Sequence, residues 1–183
     1  MKKFLLTLLM IAFLSLPVSS QIGEPRGFYG KAFDSTVALY GHFNNKDLFD
    51  CTATVYEKIP NGYHLVKAAH CIQDIPADVT FSVADNIGGT LTPVKVIKVR
   101  EEGYVDFAQL ELITNKKYAI IPLGNETDVK VGDTVINPNF ADGIAKQLSL
   151  SRVSTQNLVD TRDCPECRDG FLIQGFGAAG SSG

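Results

Sequence analysis

The sequence predicts an all-β fold, a sandwich or barrel of short strands, and two observations carry that prediction. Runs rich in β-branched and aromatic residues recur along the chain, cut by Gly, Pro, Asn and Asp. Beyond an apolar N-terminal segment, no stretch keeps a helical period for about twelve residues. With 45% hydrophobic and 20% charged residues, the 183-residue chain can build a core as one domain or two small lobes.

In chain order, the first segment stands apart from the fold. Lys2-Lys3 give a basic start, Phe4 to Leu16 an apolar run, and Pro17-Val18-Ser19-Ser20 a small-residue exit, which is the pattern of a secretory signal peptide over residues 1–20. The apolar run has thirteen residues, short of the roughly 20 that span a bilayer, so cleavage after Ser20 is expected and no membrane contact after it.

Strands are then predicted at 35–40, 48–56 and 63–68. The second and third are joined through Pro60-Asn61-Gly62, where Gly62 is expected to take a positive φ. Further strands are predicted at 79–83, 91–99, 107–113, 134–137, 147–153 and 170–174, with a short turn near His70 to Asp74. The polar run Thr114-Asn115-Lys116-Lys117 marks a lobe boundary, giving an N-terminal lobe over 21–115 and a C-terminal one over 116–183.

Export sets the reading of the cysteines. Cys51, Cys71, Cys164 and Cys167 are an even number in an oxidising compartment and allow three pairings; pairing by proximity joins Cys51 to Cys71 and Cys164 to Cys167. Cys164-Pro165-Glu166-Cys167 could also serve as a redox pair or half of a zinc site. No second C-x-x-C, no H-x₃-H and no βαβ pattern accompanies it, so a structural disulfide is preferred and no metal or cofactor is expected. The signal holds two of the 17 basic residues and no acid, leaving 15 basic against 20 acidic and a net charge near −5. That balance disfavours nucleic acid as a partner. Asn125-Glu126-Thr127 matches a glycosylation acceptor but is read as a chance match beside a bacterial-looking signal.

Acyl-transfer chemistry needs a base that titrates near neutrality, and the chain has three histidines. His42 precedes Asn44-Asn45 and reads as a solvated loop residue, and His64 as an exposed strand position. His70 follows a strand that ends in Ala68-Ala69 and is flanked by Cys71, so its backbone can be held rigidly. A carboxylate to orient it stands in Val105-Asp106-Phe107-Ala108, where Asp106 heads an alternating apolar strand. A hydroxyl among converging backbone N–H groups would come from the Gly-rich end, Gly175 to Gly183. Each signal alone is ordinary; the order His70, Asp106, Ser182, with separations of 36 and 76 residues, makes them a set.

These motifs resemble those of the chymotrypsin/trypsin-like serine proteases. Ala68-Ala69-His70-Cys71 resembles the histidine motif, Asp106-Phe107-Ala108-Gln109-Leu110 the aspartate motif, and Gly180-Ser181-Ser182-Gly183 the nucleophile motif. Cys51 with Cys71 resembles the family disulfide beside the histidine. Ile121-Pro122-Leu123-Gly124 and Val129-Lys130-Val131-Gly132-Asp133 are similar to the exported Deg-type (HtrA-like) branch. The resemblance implies two six-stranded-type antiparallel barrels, Ser182 as nucleophile, His70 as general base, Asp106 as its orienter, and an oxyanion hole from the N–H groups of Gly180 and Ser182. It implies protein or peptide substrates and a secreted or periplasmic location.

Ser181 replaces the acid that serves zymogen activation in many members, so activation of that kind is not expected. Phe176 stands where the primary pocket is often set, so no strong preference for Lys or Arg is expected. Members continue past the nucleophile for several strands. The chain ends at Gly183, so the second barrel is expected to be incomplete and these 183 residues inactive by themselves. The alternative is an inactive trypsin-like scaffold acting as a binding or structural module; a more distant one is an unrelated secreted β protein.

Overall fold

A computed structural model of the chain describes residues 27–44, 46–72, 75–76, 78–102, 105–156 and 171–174. The predicted strands are all present, most of them extended by a few residues: β1 Thr36–Phe43, β2 Lys46–Ile59, β3 Gly62–Lys67, β4 Thr80–Ala84, β5 Thr92–Glu102, β6 Val105–Ile113, β7 Thr134–Asn139, β8 Gln147–Gln156 and β9 Phe171–Gln174. One helix, α1 (Phe28–Asp34), precedes them.

The first six strands close into an antiparallel barrel in the order β1-β2-β3-β6-β5-β4, with β1 paired to both β2 and β4. Closure requires strands to coil, and register shifts at Leu39/Tyr40, Val55/Glu57 and Val96/Lys98 supply local bends. The period-2 alternation of β6 shows how the barrel fills. Ala108, Leu110 and Leu112 are fully buried and meet Val37, Leu39, Ala53, Val55 and Leu65 in one core.

Strand β1 is buried on both sides, which accounts for its unbroken apolar run. Val37 and Leu39 face the barrel core, whereas Ala38 and Tyr40 join Ala84 and Phe140 in a second cluster outside it. Phe140 comes from just after β7, and its backbone N–H donates to Thr52 Oγ1 at 3.2 Å, so the second half of the chain is seated on the barrel wall. That half forms a three-stranded antiparallel sheet, β7-β8-β9. In β8, Ser151 and Val153 are buried, while Leu148, Leu150 and Arg152 on the other face are exposed.

Two local expectations are corrected, and one short helix is added. Gly62 does not take a positive φ; positive values occur at Gly88, Gly132, Gly143 and Asn44. Gly62 is needed because β6 passes directly over it, and a Cβ there would collide with the Leu112 carbonyl. His42 lies within β1, not in a loop. Residues 28–34 are helical although only seven residues long and without a side-chain cap; Ser35 and Thr36 close the helix end by donating their hydroxyls to the Ala32 carbonyl at 2.8 and 3.0 Å. Among the described residues, no helix is long and apolar enough to cross a membrane.

Candidate active site

Barrel register brings His70 and Asp106 together. Strands β3 and β6 are antiparallel with Lys67 opposite Ala108. Two residues further along each strand in opposite senses, Ala69 comes level with Asp106. Here β3 gives way to a 3₁₀ turn over Ala69–Cys71, closed by Ile72 N–H donating to the Ala69 carbonyl at 2.8 Å. Ala69 is fully buried, and its small side chain lets the turn sit against the core.

The turn is fixed from behind. Cys71 is bonded to Cys51 of β2, with Cα atoms 6.3 Å apart, and both are buried in the core. The closed loop of twenty residues corresponds to about 3 kcal/mol in the chain-entropy model.

On the solvent side, the Asp106 carboxylate receives several donors. His70 backbone N–H donates to Oδ1 at 2.8 Å and His70 Nδ1 to Oδ2 at 2.5 Å; Ala69 N–H also donates to the carboxylate. Burial acts to raise the Asp106 carboxyl, but the hydrogen bonds from the His70 side chain and backbone, the attraction of His70 and the Ala69 N–H together outweigh it. Its pKa therefore lies below the ordinary value, and the group is ionised at neutral pH. An ionised carboxylate can only accept, so Nδ1 is the donor of this pair, which in the neutral tautomer of the ring leaves Nε2 as the acceptor. The His70 side chain is 49% exposed, enough for a hydroxyl to approach that nitrogen.

Other histidines and charged residues near the motif differ in setting. His64 and His42 also bind carboxylates, Glu57 at 2.8 Å and Asp47 at 2.6 Å, from strand positions. Lys67, directly before the Ala-Ala-His turn, is 1% exposed and shares the inward side of β3 with Tyr63 and Leu65. Donor atoms of Cys51, His70 and Cys71 fall within 4.8 Å of one another, but both sulfurs are used in the disulfide and offer a metal no thiolate. The predicted Gly180, Ser182, Cys164 and Cys167 lie outside the described residues, as do Ser181, Phe176 and residues 1–20. The Ala69 and His70 backbone donors were not singled out from sequence; the paired small residues ahead of the histidine are their only trace.

No family model matches the chain, and no curated protein matches it. Solved structures do: 309 chains match, so the likeness is to a widespread architecture. One is described as "HtrA-type protease AlgWS227A with tripeptide", with a TM-score of 0.60 and 18% identity over 84% of this chain.

The fold is trypsin-like.

At that identity the likeness is one of fold, and the chain spans 47% of the matched structure's length. Within the trypsin-like fold, the closed six-stranded barrel carries the His70–Asp106 pair at one end of β3 and β6.

Proposed function

We propose that the chain is the scaffold of an exported serine endopeptidase in which Ser182 is the nucleophile, His70 the general base and Asp106 the residue that orients it. Asp106 holds the imidazole by Nδ1, and Nε2 removes the hydroxyl proton as Ser182 Oγ attacks the substrate carbonyl. The imidazolium that results is stabilised by Asp106 and returns its proton to the leaving amine. Backbone N–H groups of Gly180 and Ser182 receive the developing oxyanion. The chemistry requires no metal or cofactor.

The observation that carries this reading is the 2.5 Å bond from His70 Nδ1 to Asp106 on a turn locked by the Cys51–Cys71 disulfide. The trypsin-like fold supports peptide substrates, and the acidic balance of the chain speaks against nucleic acid. We assign residues 21–115 to the first barrel lobe and 116–183 to part of a second barrel. Exposed Leu148 and Leu150 on β8 fit a sheet that further strands would cover. A disulfide fits a secreted or periplasmic location after loss of residues 1–20.

A fluorophosphonate probe applied to the full-length protein tests the assignment. Labelling mapped to Ser182 by peptide mass spectrometry is the expected result. A folded protein that takes no label is instead a trypsin-like binding module.

A further inference from the structure

Strand β5 is paired unevenly along its length. Thr92, Pro93 and Val94 pair with β4, whereas residues 94–102, apart from Ile97, pair with β6 on the other side. Along residues 95–102, among the described residues, no strand pairs with the edge that faces away from β6, and no backbone bond outside the strands reaches it. Residues 97–100 are all exposed, with Ile97 and Val99 at 45% each. A strand within the barrel wall alternates between buried and open positions, as β6 does, so four exposed residues in succession mark a free edge. The register shift between Val96 and Lys98 leaves Ile97 without a partner on β6, and beyond it residues 98–102 run in regular register with 105–109. That regular part is about the length of an ordinary strand.

Lysines and bulges commonly shield such edges, and they keep β5 of one copy from β5 of another, because that match would bring together two sets of Lys95, Lys98 and Arg100. Shielding does not account for Ile97 and Val99, two β-branched side chains left in water on either side of Lys98. Lys95 faces Glu111 across the ladder; Lys98 faces Gln109, and among the described residues no carboxylate pairs with it. The edge also leads to the catalytic pair. Glu101 pairs with Asp106 in the β5–β6 register, so a strand laid along residues 98–102 runs two strand spacings, about 10 Å, from the β6 position that holds His70.

We infer that the free edge of β5 is a docking strand for the substrate polypeptide, which adds beside residues 95–102 as a further strand with an acidic side chain against Lys98 and apolar ones against Ile97 and Val99. The inference rests on the reading of the chain as an endopeptidase. An edge accepts only extended chain, and the chain that comes within two strands of His70 and Asp106 is the substrate. Main-chain bonds to the open row of β5 supply the affinity, and the Ile97-Lys98-Val99 run supplies the preference.

The test adds an end-blocked peptide carrying Thr-Val-Glu-Val-Thr to the full-length protein and follows amide hydrogen exchange. Protection should appear within residues 95–102 and vanish when alternate backbone nitrogens of the peptide are methylated. Lys98→Glu should weaken binding of this peptide about threefold and strengthen that of its Thr-Val-Lys-Val-Thr counterpart by a similar factor. Joined to a cleavable peptide, the Thr-Val-Glu-Val-Thr run should lower KM for the unaltered protein. Exchange needs no turnover and fluorophosphonate labelling of Ser182 is read separately, so failure of the endopeptidase reading is told apart from failure of docking. Absence of protection at residues 95–102, equal protection by the methylated peptide, or protection that grows with protein concentration without peptide overturns the proposal. An unaltered KM in a protein that labels at Ser182 overturns the substrate as occupant.

Discussion

All three histidines of the chain hold a carboxylate at Nδ1, yet their surroundings differ in the feature that matters for proton transfer. His42 and His64 meet partners that stand directly opposite them across β1–β2 and β2–β3, the ordinary cross-strand pairing of a sheet surface. Their second nitrogens are poorly presented: His42 Nε2 is buried without a partner among the described residues, and the His64 ring stacks on Tyr56 at 6.2 Å and is 20% exposed. His70 lies beyond a strand end, draws its carboxylate from 36 residues away, and is 49% exposed. A carboxylate–imidazole contact is therefore not in itself a catalytic signature. What distinguishes His70 is a rigid turn behind the ring and open space in front of it.

The strongest way to break this comparison is to delete each base. In triad enzymes, loss of the histidine lowers kcat by about 10⁶. His70→Ala should reduce peptide hydrolysis by the full-length protein to that extent, while His64→Ala leaves kcat within about twofold. Equal losses from the two would place the base elsewhere. Next in size is the carboxylate. Asp106→Asn should cost about 10⁴ in kcat without unfolding the chain, because the amide favours the wrong tautomer, whereas Glu57→Gln should leave turnover unaltered. Circular dichroism on the same samples separates lost chemistry from lost fold.

Removing the clamp is a smaller perturbation of a different kind. The double change Cys51→Ala and Cys71→Ala should lower unfolding stability by about 3 kcal/mol in denaturant titration. It should also broaden the His70 ring signals in NMR while those of His64 remain sharp. Smallest is the effect of acid. Asp106 has a folded pKa below its ordinary value, so its bonds to Ala69 and His70 contribute stability fully above the ordinary carboxylate range and lose it as pH falls through the depressed value. Carbon-detected NMR should find Asp106 titrating below the range of exposed aspartates. An ordinary titration would contradict the donor set described around it.

Much of the fold is legible in sequence because β runs and their punctuation are local. Nine strands can be read from β-branched runs and turn residues, and β6 is the clearest, since Ala108, Leu110 and Leu112 alternate with Phe107, Gln109 and Glu111. Closure is not legible in that way. The pairing of β1 with β4 joins segments about forty residues apart through shape and twist, which no local pattern records. Helix α1 escapes because seven residues are two turns, too few for a period, and its N-cap is Gly27 with no side-chain bond.

The site divides along the same line. His70 near Asp106 follows from two motifs at the facing ends of strands that pair in register. The carboxylate pairs of His42 and His64 depend on which residues face one another across β1–β2 and β2–β3, and nothing at either histidine announces its partner.

The central claim, that His70 and not another carboxylate-bound histidine activates Ser182, is tested most directly by fluorophosphonate labelling of His70→Ala and His64→Ala variants of the full-length protein, with the label mapped by mass spectrometry. The account predicts labelling at Ser182 in the His64 variant at the rate of the unaltered protein and none detectable in the His70 variant. Undiminished labelling of Ser182 in the His70 variant would contradict it.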